Sequence, residues 1–218
     1  MALSNFFIAG GIVMIPLLAL SILALALVME RIVFWAQVTQ KQDQVIQEAL
    51  SLYQRSTRAA FQKLEQHGNL PMARIFLAAL ELDQPTPEEF RLALESAAQA
   101  EIPLLKRFST VFDTVISVSP LLGLLGTVLG LIQSFASLRI GDLASTETAA
   151  VTSGIGEALV STAAGLVVAI ATLLFANMFR GLYQRQIALI QEYGGQMELL
   201  YRRRYERGGM SYAPTQRT

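Results

Sequence analysis

The sequence predicts an all-α integral membrane protein with three transmembrane helices, two of which extend beyond the membrane into the cytoplasm. Hydrophobic residues make up 53% of the 218 residues and charged residues only 16%, a composition typical of membrane proteins. Residues 8–29, 114–138 and 158–179 contain no Asp, Glu, Lys or Arg. Each stretch is long enough for the hydrocarbon core, which needs about 20 apolar residues per helix. We therefore expect one integrated membrane unit.

The charge balance and the missing residue types exclude several classes of function. Seventeen Lys and Arg residues balance 17 Asp and Glu residues, so the basic surface of a nucleic-acid-binding protein is not expected. The chain has no cysteine, and its only histidine, His67, lies in a predicted turn. We find no cluster with metal-ligand spacing, no phosphate loop and no nucleophile with a base. The sequence thus predicts no metal, no cofactor and no enzymatic activity.

The first element, residues 1–35, is expected to hold an N-terminal segment and transmembrane helix 1, with Pro16 inside the apolar run. A cleaved signal peptide is the alternative interpretation. The stretch lacks the basic start of a signal peptide, and its apolar run is longer than the usual hydrophobic region of one. A membrane-spanning helix is therefore favoured.

Residues 36–108 are predicted to form a helical loop rather than a separate globular domain. Apolar residues recur there mainly at three- and four-residue spacings: Val45, Ile46, Ala49, Leu50, Tyr53, Phe61 and Leu64. This stripe must be covered by a helix bundle or by an oligomer. After a turn at 67–71, Thr86 and Glu89 form a capping box with Pro87 at the first helical position. We expect one helix of about 50 residues to run from Pro87 into the second span, with Pro103 as the only candidate kink.

The remaining boundaries follow from the apolar runs. Transmembrane helix 2 is expected at 109–138, a short periplasmic loop at 139–150 and transmembrane helix 3 at 151–180. Residues 181–218 are expected to form a cytoplasmic helix, weakened by Gly194 and Gly195, and a disordered tail beyond Gly208. Lys and Arg near span ends are retained in the cytoplasm, and they follow spans one and three. The N-terminus is therefore expected on the outer side of the membrane and the C-terminus in the cytoplasm.

Small and hydroxyl side chains form one narrow face on each of spans two and three. The predicted faces are Ser119, Gly123, Thr127, Gly130 and Ser134 in span two, and Glu157, Ser161, Gly165 and Ala169 in span three, with Thr162 beside them. Such faces serve either close helix packing or a polar pathway. Glu157 favours the polar pathway, because an acid at membrane depth normally faces protein or water. The alternative interpretation of Glu157 is that it lies at the outer membrane–water interface.

The segments PLLGLLGTVLGLIQSF, residues 120–135, and GIGEALVSTAAGLVVAI, residues 154–170, carry a resemblance. Together they resemble the paired signature of the MotA, TolQ and ExbB family of proton-channel subunits, most closely the ExbB and TolQ branch. The first segment carries GLLGTV with a downstream phenylalanine, and the second carries an acid followed by a threonine five residues later. Three spans and a large first loop are also similar to that branch.

The resemblance implies a bacterial inner-membrane protein with a periplasmic N-terminus. It also implies a ring of five chains around the single-span helices of two ExbD- or TolR-like partners. The partner helix supplies an aspartate at which proton passage drives rotation, and a TonB- or TolA-like client receives the energy. Thr127 and Thr162 match the family's polar channel positions, Glu157 its span-three acid, and Asn177 its cytoplasmic exit. We expect Ser134 and Ser161 to line the path as well. Gly123, Gly130, Gly165 and Ala169 are expected to pack against the partner helix.

The sequence does not determine which client system the protein serves. ExbB-like service to TonB-dependent outer-membrane transport is favoured over TolQ-like service to envelope constriction or a motility motor. Protons are favoured over sodium because the polar lining is sparse. A membrane scaffold that conducts nothing is the alternative from a different class of protein.

Overall fold

The computed structural model describes residues 11–136 and 145–210; for residues 145–154, 157, 209 and 210 only the backbone is described. Six helices account for most of this part of the chain: α1 Met14–Arg55, α2 Thr57–Glu65, α3 Pro71–Leu80, α4 Pro87–Leu105, α5 Ser109–Ala136 and α6 Ser145–Met210. The described ranges contain no strand. The predicted all-α class is confirmed.

Three segments are long and apolar enough to cross a membrane: Met14–Arg55, Pro87–Ala136 and Ala158–Gly208. Each overlaps one of the apolar runs predicted from the sequence, and each extends well beyond that run on one side. The prediction of a multi-pass membrane protein with three transmembrane helices is therefore confirmed. Pro16 does not kink the first of them, because it lies in the first turn of α1, where its missing N–H would have no helical acceptor.

The helix expected to run without interruption from Pro87 into the second span is divided by a short turn. Helix α4 ends at Leu105, and α5 begins at Ser109 after a turn in which Phe108 has a positive φ of 66°. Pro103 contributes to this end, because it has no N–H to donate to the carbonyl oxygen one turn earlier. The capping box that begins α4 is present as predicted, with both Thr86 and Glu89 hydrogen bonds formed.

Helix α6 continues through Gly194 and Gly195 without a break, as predicted, and is 66 residues long. Neither glycine has another part of the chain within 4 Å of the place where a Cβ would lie. Two predictions fall partly or wholly on residues outside the described ranges. They are the first part of the loop at 139–150 and the disordered tail at the C-terminus.

The chain forms two compact units. The apolar unit comprises the described parts of Met1–Arg31 and Phe108–Phe179, and the polar unit comprises Ile32–Arg107 and the described part of Arg180–Thr218. In the apolar unit, Val13, Met14 and Leu17 form a small core against Leu122 and Ala164. Leu122 belongs to α5 and Ala164 to α6, so α1 packs against both helices. Helices α5 and α6 also contact each other in this unit, where the ring centroids of Phe112 and Phe179 are 5.8 Å apart.

The polar unit has a larger core in which the predicted apolar stripe is covered by the chain itself. Side chains from five helices are almost completely buried: Ile46, Leu64, Leu70, Met72, Ile75, Phe76, Phe90 and Met197. Ile46 and Leu64 belong to the stripe, so a helix bundle covers it and no oligomer is needed for that purpose. Gln42 and Gln186 exchange two side-chain hydrogen bonds of 2.9 and 3.1 Å inside this bundle and join α1 to α6.

Candidate functional site

The buried face of α5 in the apolar unit consists of small residues. They are Ser119, Gly123, Gly126, Gly130 and Ser134, at steps of four, three, four and four along the helix. The sequence-based face had Thr127 in this row, whereas the structure has Gly126 there and a half-buried Thr127 beside it. The GxxxG spacing of Gly126 and Gly130 is typical of close helix contacts, but it does not by itself exclude Thr127 from the row.

Helices α5 and α6 approach closely along this face. A Cβ atom added to Gly165 would lie 2.4 Å from the carbonyl oxygen of Ser119, and one added to Gly123 would lie 2.9 Å from the Cα of Thr162. A Cβ at Gly126 would lie 2.3 Å from the Ser161 hydroxyl oxygen. These six residues, Ser119, Gly123, Gly126, Ser161, Thr162 and Gly165, are called the helix seam below. The two helices can meet there only because three of its positions are glycine.

Two hydroxyl groups cross the helix seam to one carbonyl group. Thr162 donates a 3.0 Å hydrogen bond to the carbonyl oxygen of Gly123, and Ser161 lies 3.3 Å from the same atom. Ser161 also donates to the carbonyl oxygen of Ala158 at 2.8 Å. Gly123 allows this convergence because it has no side chain between its carbonyl group and α6. Three residues predicted for the site, Gly123, Ser161 and Thr162, are therefore in direct contact.

The other predicted hydroxyls bond within their own helix. Thr127 donates to the carbonyl oxygen of Leu124 at 2.6 Å, and the buried Ser134 donates to that of Gly130 at 2.8 Å. Neither bond crosses to α6. A hydroxyl that donates to a carbonyl oxygen keeps its lone pairs, so it can still accept a hydrogen bond from water or from a neutral carboxylic acid.

The hydroxyl of Ser119 differs from these groups. The residue is completely buried in the helix seam, and its Oγ has no hydrogen-bond partner among the described residues. Burial of an unpaired hydroxyl normally costs about 1 to 3 kcal/mol. The sequence placed Ser119 on the small-residue face but did not include it in the predicted pathway, and its orphaned hydroxyl has no signal in the sequence.

The predicted residues outside the helix seam are distributed along α6. Ala169 is buried within the chain itself, and Asn177 is exposed near the end of the apolar unit. Glu157 lies on the helix, but its side chain is outside the described residues. Thr172, which sequence reasoning missed, is buried and donates to the carbonyl oxygen of Val168 at 2.8 Å. Its three-residue step from Ala169, the last residue of the predicted face, was the available signal.

The site is a narrow polar line between two helices with apolar outer surfaces. Large hydrophobic side chains of α5 and α6 are widely exposed, for example Leu121, Leu124, Ile132, Leu159, Val167 and Leu174. No group of three or more His, Cys, Asp or Glu residues occurs in the described part of the chain. Serine and threonine hydroxyls do not titrate at physiological pH. The arrangement can hold and orient a hydrogen-bonded proton carrier, but these hydroxyls cannot themselves bind and release protons.

Comparisons with known proteins identify the family of this chain. A family model described as the MotA/TolQ/ExbB proton channel family matches residues 67–192, which include the whole helix seam. A Synechocystis relative named biopolymer transport protein ExbB-like 3 is 61% identical over 89% of this chain and 93% of its own length. A second Synechocystis relative, ExbB-like 1, is 43% identical over 90% of this chain and 78% of its own length.

A more distant similarity extends to the TolQ branch. The TolQ protein of the Tol-Pal system in Haemophilus influenzae is 38% identical over 102 residues, which cover 47% of this chain and 42% of that protein. The resemblance drawn from residues 120–135 and 154–170 is thereby confirmed. The chain belongs to the MotA/TolQ/ExbB proton channel family.

Proposed function

We propose that the chain is the ring-forming subunit of a proton-driven motor in the bacterial inner membrane. In this proposal it acts with a single-span, ExbD-like partner to energise TonB-dependent outer-membrane transport. The observation that carries the proposal is the helix seam, which lies inside the family-matched region and aligns hydroxyl groups between two otherwise apolar helices. The ExbB-like names of the two Synechocystis relatives support the choice of client.

The exposed surface of the spans supports assembly. Only 22%, 17% and 28% of the most apolar windows of the three spanning segments are buried within the chain. The rest must face lipid or other transmembrane helices. We propose a pentamer whose lumen is mostly apolar and holds two partner helices. The polar unit buries its own stripe, so the argument for a ring rests on the spans alone.

The proton carrier is proposed to come from the partner. A carboxylic acid on the partner helix can bind and release a proton, whereas Thr127, Thr162, Ser134 and Ser161 can only donate and accept hydrogen bonds. As oriented here, the hydroxyls of Thr127 and Thr162 already donate to carbonyl oxygens, so they are prepared to accept from the protonated acid. Rotation of either hydroxyl would let it donate to the ionised form. Glu157 is proposed at the outer mouth and Asn177 at the cytoplasmic exit.

The proposed orientation has the N-terminus and residues 139–150 in the periplasm. Residues 36–108 and 181–218 would then lie in the cytoplasm, because Arg180 and Arg185 follow the third span directly. Single cysteines introduced at Gly208 or within 139–150 test this in a chain that has no other cysteine. A membrane-impermeant maleimide should label the second position in intact spheroplasts and the first only after lysis. The reverse pattern would overturn the orientation.

The function is tested by proton flux in liposomes with and without the co-purified partner, together with native mass spectrometry in mild detergent. The proposal expects a pentamer, little flux from the chain alone and a clear rise with the partner. A stable monomer or dimer would remove the ring, and equal flux without the partner would remove the role of the partner acid. Glu157→Gln keeps the side-chain size but cannot titrate, so reduced flux in this variant would support the outer-mouth role.

A TolQ-like role in envelope constriction is the second candidate function. The similarity to the Haemophilus influenzae TolQ protein favours it, although over less than half of this chain. The partner's periplasmic domain decides between the two. A domain that binds a TonB-like protein supports the first role, and one that binds a TolA-like protein supports the second. A partner-independent scaffold would give wild-type behaviour in every pathway variant.

A further inference from the structure

The polar unit contains an arginine-lined cleft that the proposed motor function does not use. The cleft has a volume of about 420 Å³ and lies between the end of α1 and the last turns of α6. Four of its seven lining residues are arginine, namely Arg55, Arg203, Arg204 and Arg207, and none is Asp or Glu. It is called the arginine cleft below.

The charges of the arginine cleft are not neutralised within the described chain. Arg55, Arg203 and Arg207 have no carboxylate oxygen within 4.0 Å among the described residues, whereas the neighbouring Arg202 is paired with Glu198 at 3.3 Å. Arg204 is positioned by Tyr53: it donates to the Tyr53 carbonyl oxygen at 3.5 Å, and its guanidinium carbon lies 5.7 Å from the Tyr53 ring centroid. Arginine stays protonated in proteins, so the cleft holds four positive charges.

Helix ends account for only part of this charge. Arg55 lies in the last turn of α1 and Arg207 in the last turn of α6, where basic side chains interact favourably with the helix dipole. Each helix end carries about half a negative charge. Two helix ends therefore offset about one of the four charges, and a strongly positive cleft is left.

A second cleft of about 320 Å³ adjoins the first and shares Tyr53 and Arg204 with it. Its lining includes Phe90 and Tyr201, whose rings are stacked with centroids 4.0 Å apart, and the half-exposed Tyr205. Both clefts are lined by residues near the C-terminal end of α6. Arg204 follows Arg180 by 24 residues, which is about 36 Å of helix. A ligand from the aqueous phase therefore fits this position better than a lipid headgroup.

We propose that the two clefts together bind a soluble organic polyphosphate of the nucleoside di- or triphosphate class. The forked guanidinium groups of Arg55, Arg203, Arg204 and Arg207 match phosphate oxygens in geometry and charge. The half-exposed ring of Tyr205 in the adjoining cleft offers an apolar surface to the planar base. The inference does not depend on the proposed motor function, and its binding test requires no partner subunit.

The test uses the full chain in mild detergent at about 50 mM salt, with ATP, inorganic tripolyphosphate and anionic lipid vesicles as separate probes in calorimetry or filter binding. ATP and tripolyphosphate should both saturate one site, and ATP should bind more tightly. Arg203→Gln or Arg207→Gln should weaken both by about tenfold or more, since a charged hydrogen bond is lost. Arg202→Gln is the matched control, because Arg202 lies outside the cleft, and should leave the affinity unchanged.

Tyr205→Ala separates the two parts of the site. It should reduce the affinity for ATP towards that for tripolyphosphate and leave tripolyphosphate binding unaffected. Absence of saturable binding, or equal weakening by Arg202→Gln and Arg203→Gln, would overturn the proposal as non-specific charge attraction. Binding to vesicles but not to the soluble probes would overturn it in favour of a lipid site. Circular dichroism and the elution volume of each variant verify that the fold is intact.

Discussion

The hydroxyl of Thr162 donates a 3.0 Å hydrogen bond to the carbonyl oxygen of Gly123, and this bond joins helices α5 and α6. A residue proposed for the proton path is therefore also part of the contact between two spanning helices. Thr127 differs, because its hydroxyl bonds only to the carbonyl oxygen of Leu124 in its own helix. Substitutions at the two threonines must be interpreted differently for this reason.

The close approach at Gly165 predicts a large effect from a single methyl group. Gly165→Ala would place Cβ 2.4 Å from the Ser119 carbonyl oxygen and 3.2 Å from the Cα of Gly123, so backbone must move. Overpacking of this kind destabilises a protein by about 1 to 3 kcal/mol. Thermal unfolding in detergent should therefore start at a clearly lower temperature. Gly181→Ala is the control: its Cβ meets nothing within 4 Å, so the variant should be as stable as the wild type or more stable.

Two serines of the helix seam should respond oppositely to alanine. Ser119→Ala removes a buried hydroxyl that has no hydrogen-bond partner, so stability should be unchanged or rise by up to about 1 kcal/mol. Ser161→Ala removes a hydroxyl that donates to Ala158 and approaches Gly123, and it should cost about 0.5 to 1.5 kcal/mol. The thermal midpoints of the two variants measure the difference. A clear loss of stability in Ser119→Ala would mean that its hydroxyl binds a group such as water.

The capping box of α4 predicts a contribution to acid sensitivity. Hydrogen bonds from the backbone and side chain of Thr86 hold the pKa of Glu89 below its ordinary value of 4.5. The folded pKa is depressed, so this contribution to stability is present above the ordinary pKa and is lost as the pH falls through the folded value. Glu89→Gln keeps an N3 partner for the cap but does not titrate. Its unfolding midpoint should fall less than that of the wild type between pH 6 and 3; parallel curves would contradict the assignment.

The elements of the fold that depend on local pattern were predictable from the sequence. The capping box at Thr86, the turn after His67 and the three apolar runs each depend on a few neighbouring residues. The break before Ser109 was not predicted, because Lys106, Arg107 and Phe108 include no glycine or proline that would indicate the turn of the backbone there. Pro103 was recognised as a weak point, but a proline in a helix indicates a kink or an end without distinguishing them.

The helix seam was predictable in composition but not in register. Gly123, Ser161 and Gly165 were assigned to facing surfaces from their spacing alone. Gly126 and Thr127 are 100° apart on a helix and lie on either side of Gly123 in projection. Spacing alone therefore does not show which of the two completes the buried row. Steric fit decides it, since a Cβ at position 126 would lie 2.3 Å from the hydroxyl oxygen of Ser161. That distance depends on both helices and is not encoded in either one alone.

The two threonines give the most direct test of the proposed proton path. Thr127→Val preserves the shape of the side chain and removes a hydroxyl that makes no bond across the helix seam. Its thermal stability and oligomeric state should therefore equal those of the wild type, while partner-dependent proton flux in liposomes should fall. Thr162→Val should reduce both flux and stability, the latter by about 0.5 to 1.5 kcal/mol, because the bond to Gly123 is lost.

The serine variants complete this comparison. Thr127→Ser and Thr162→Ser keep the hydroxyl and should retain most of the flux, and Thr162→Ser should also recover most of the stability lost in Thr162→Val. Because Thr127→Val leaves the helix contact intact, a fall in its flux can be assigned to the missing hydroxyl. Wild-type flux in an assembled Thr127→Val variant would show that this threonine has no part in proton transfer. The same result in Thr162→Val would leave helix packing as the role of the helix seam and would favour a scaffold over a motor subunit.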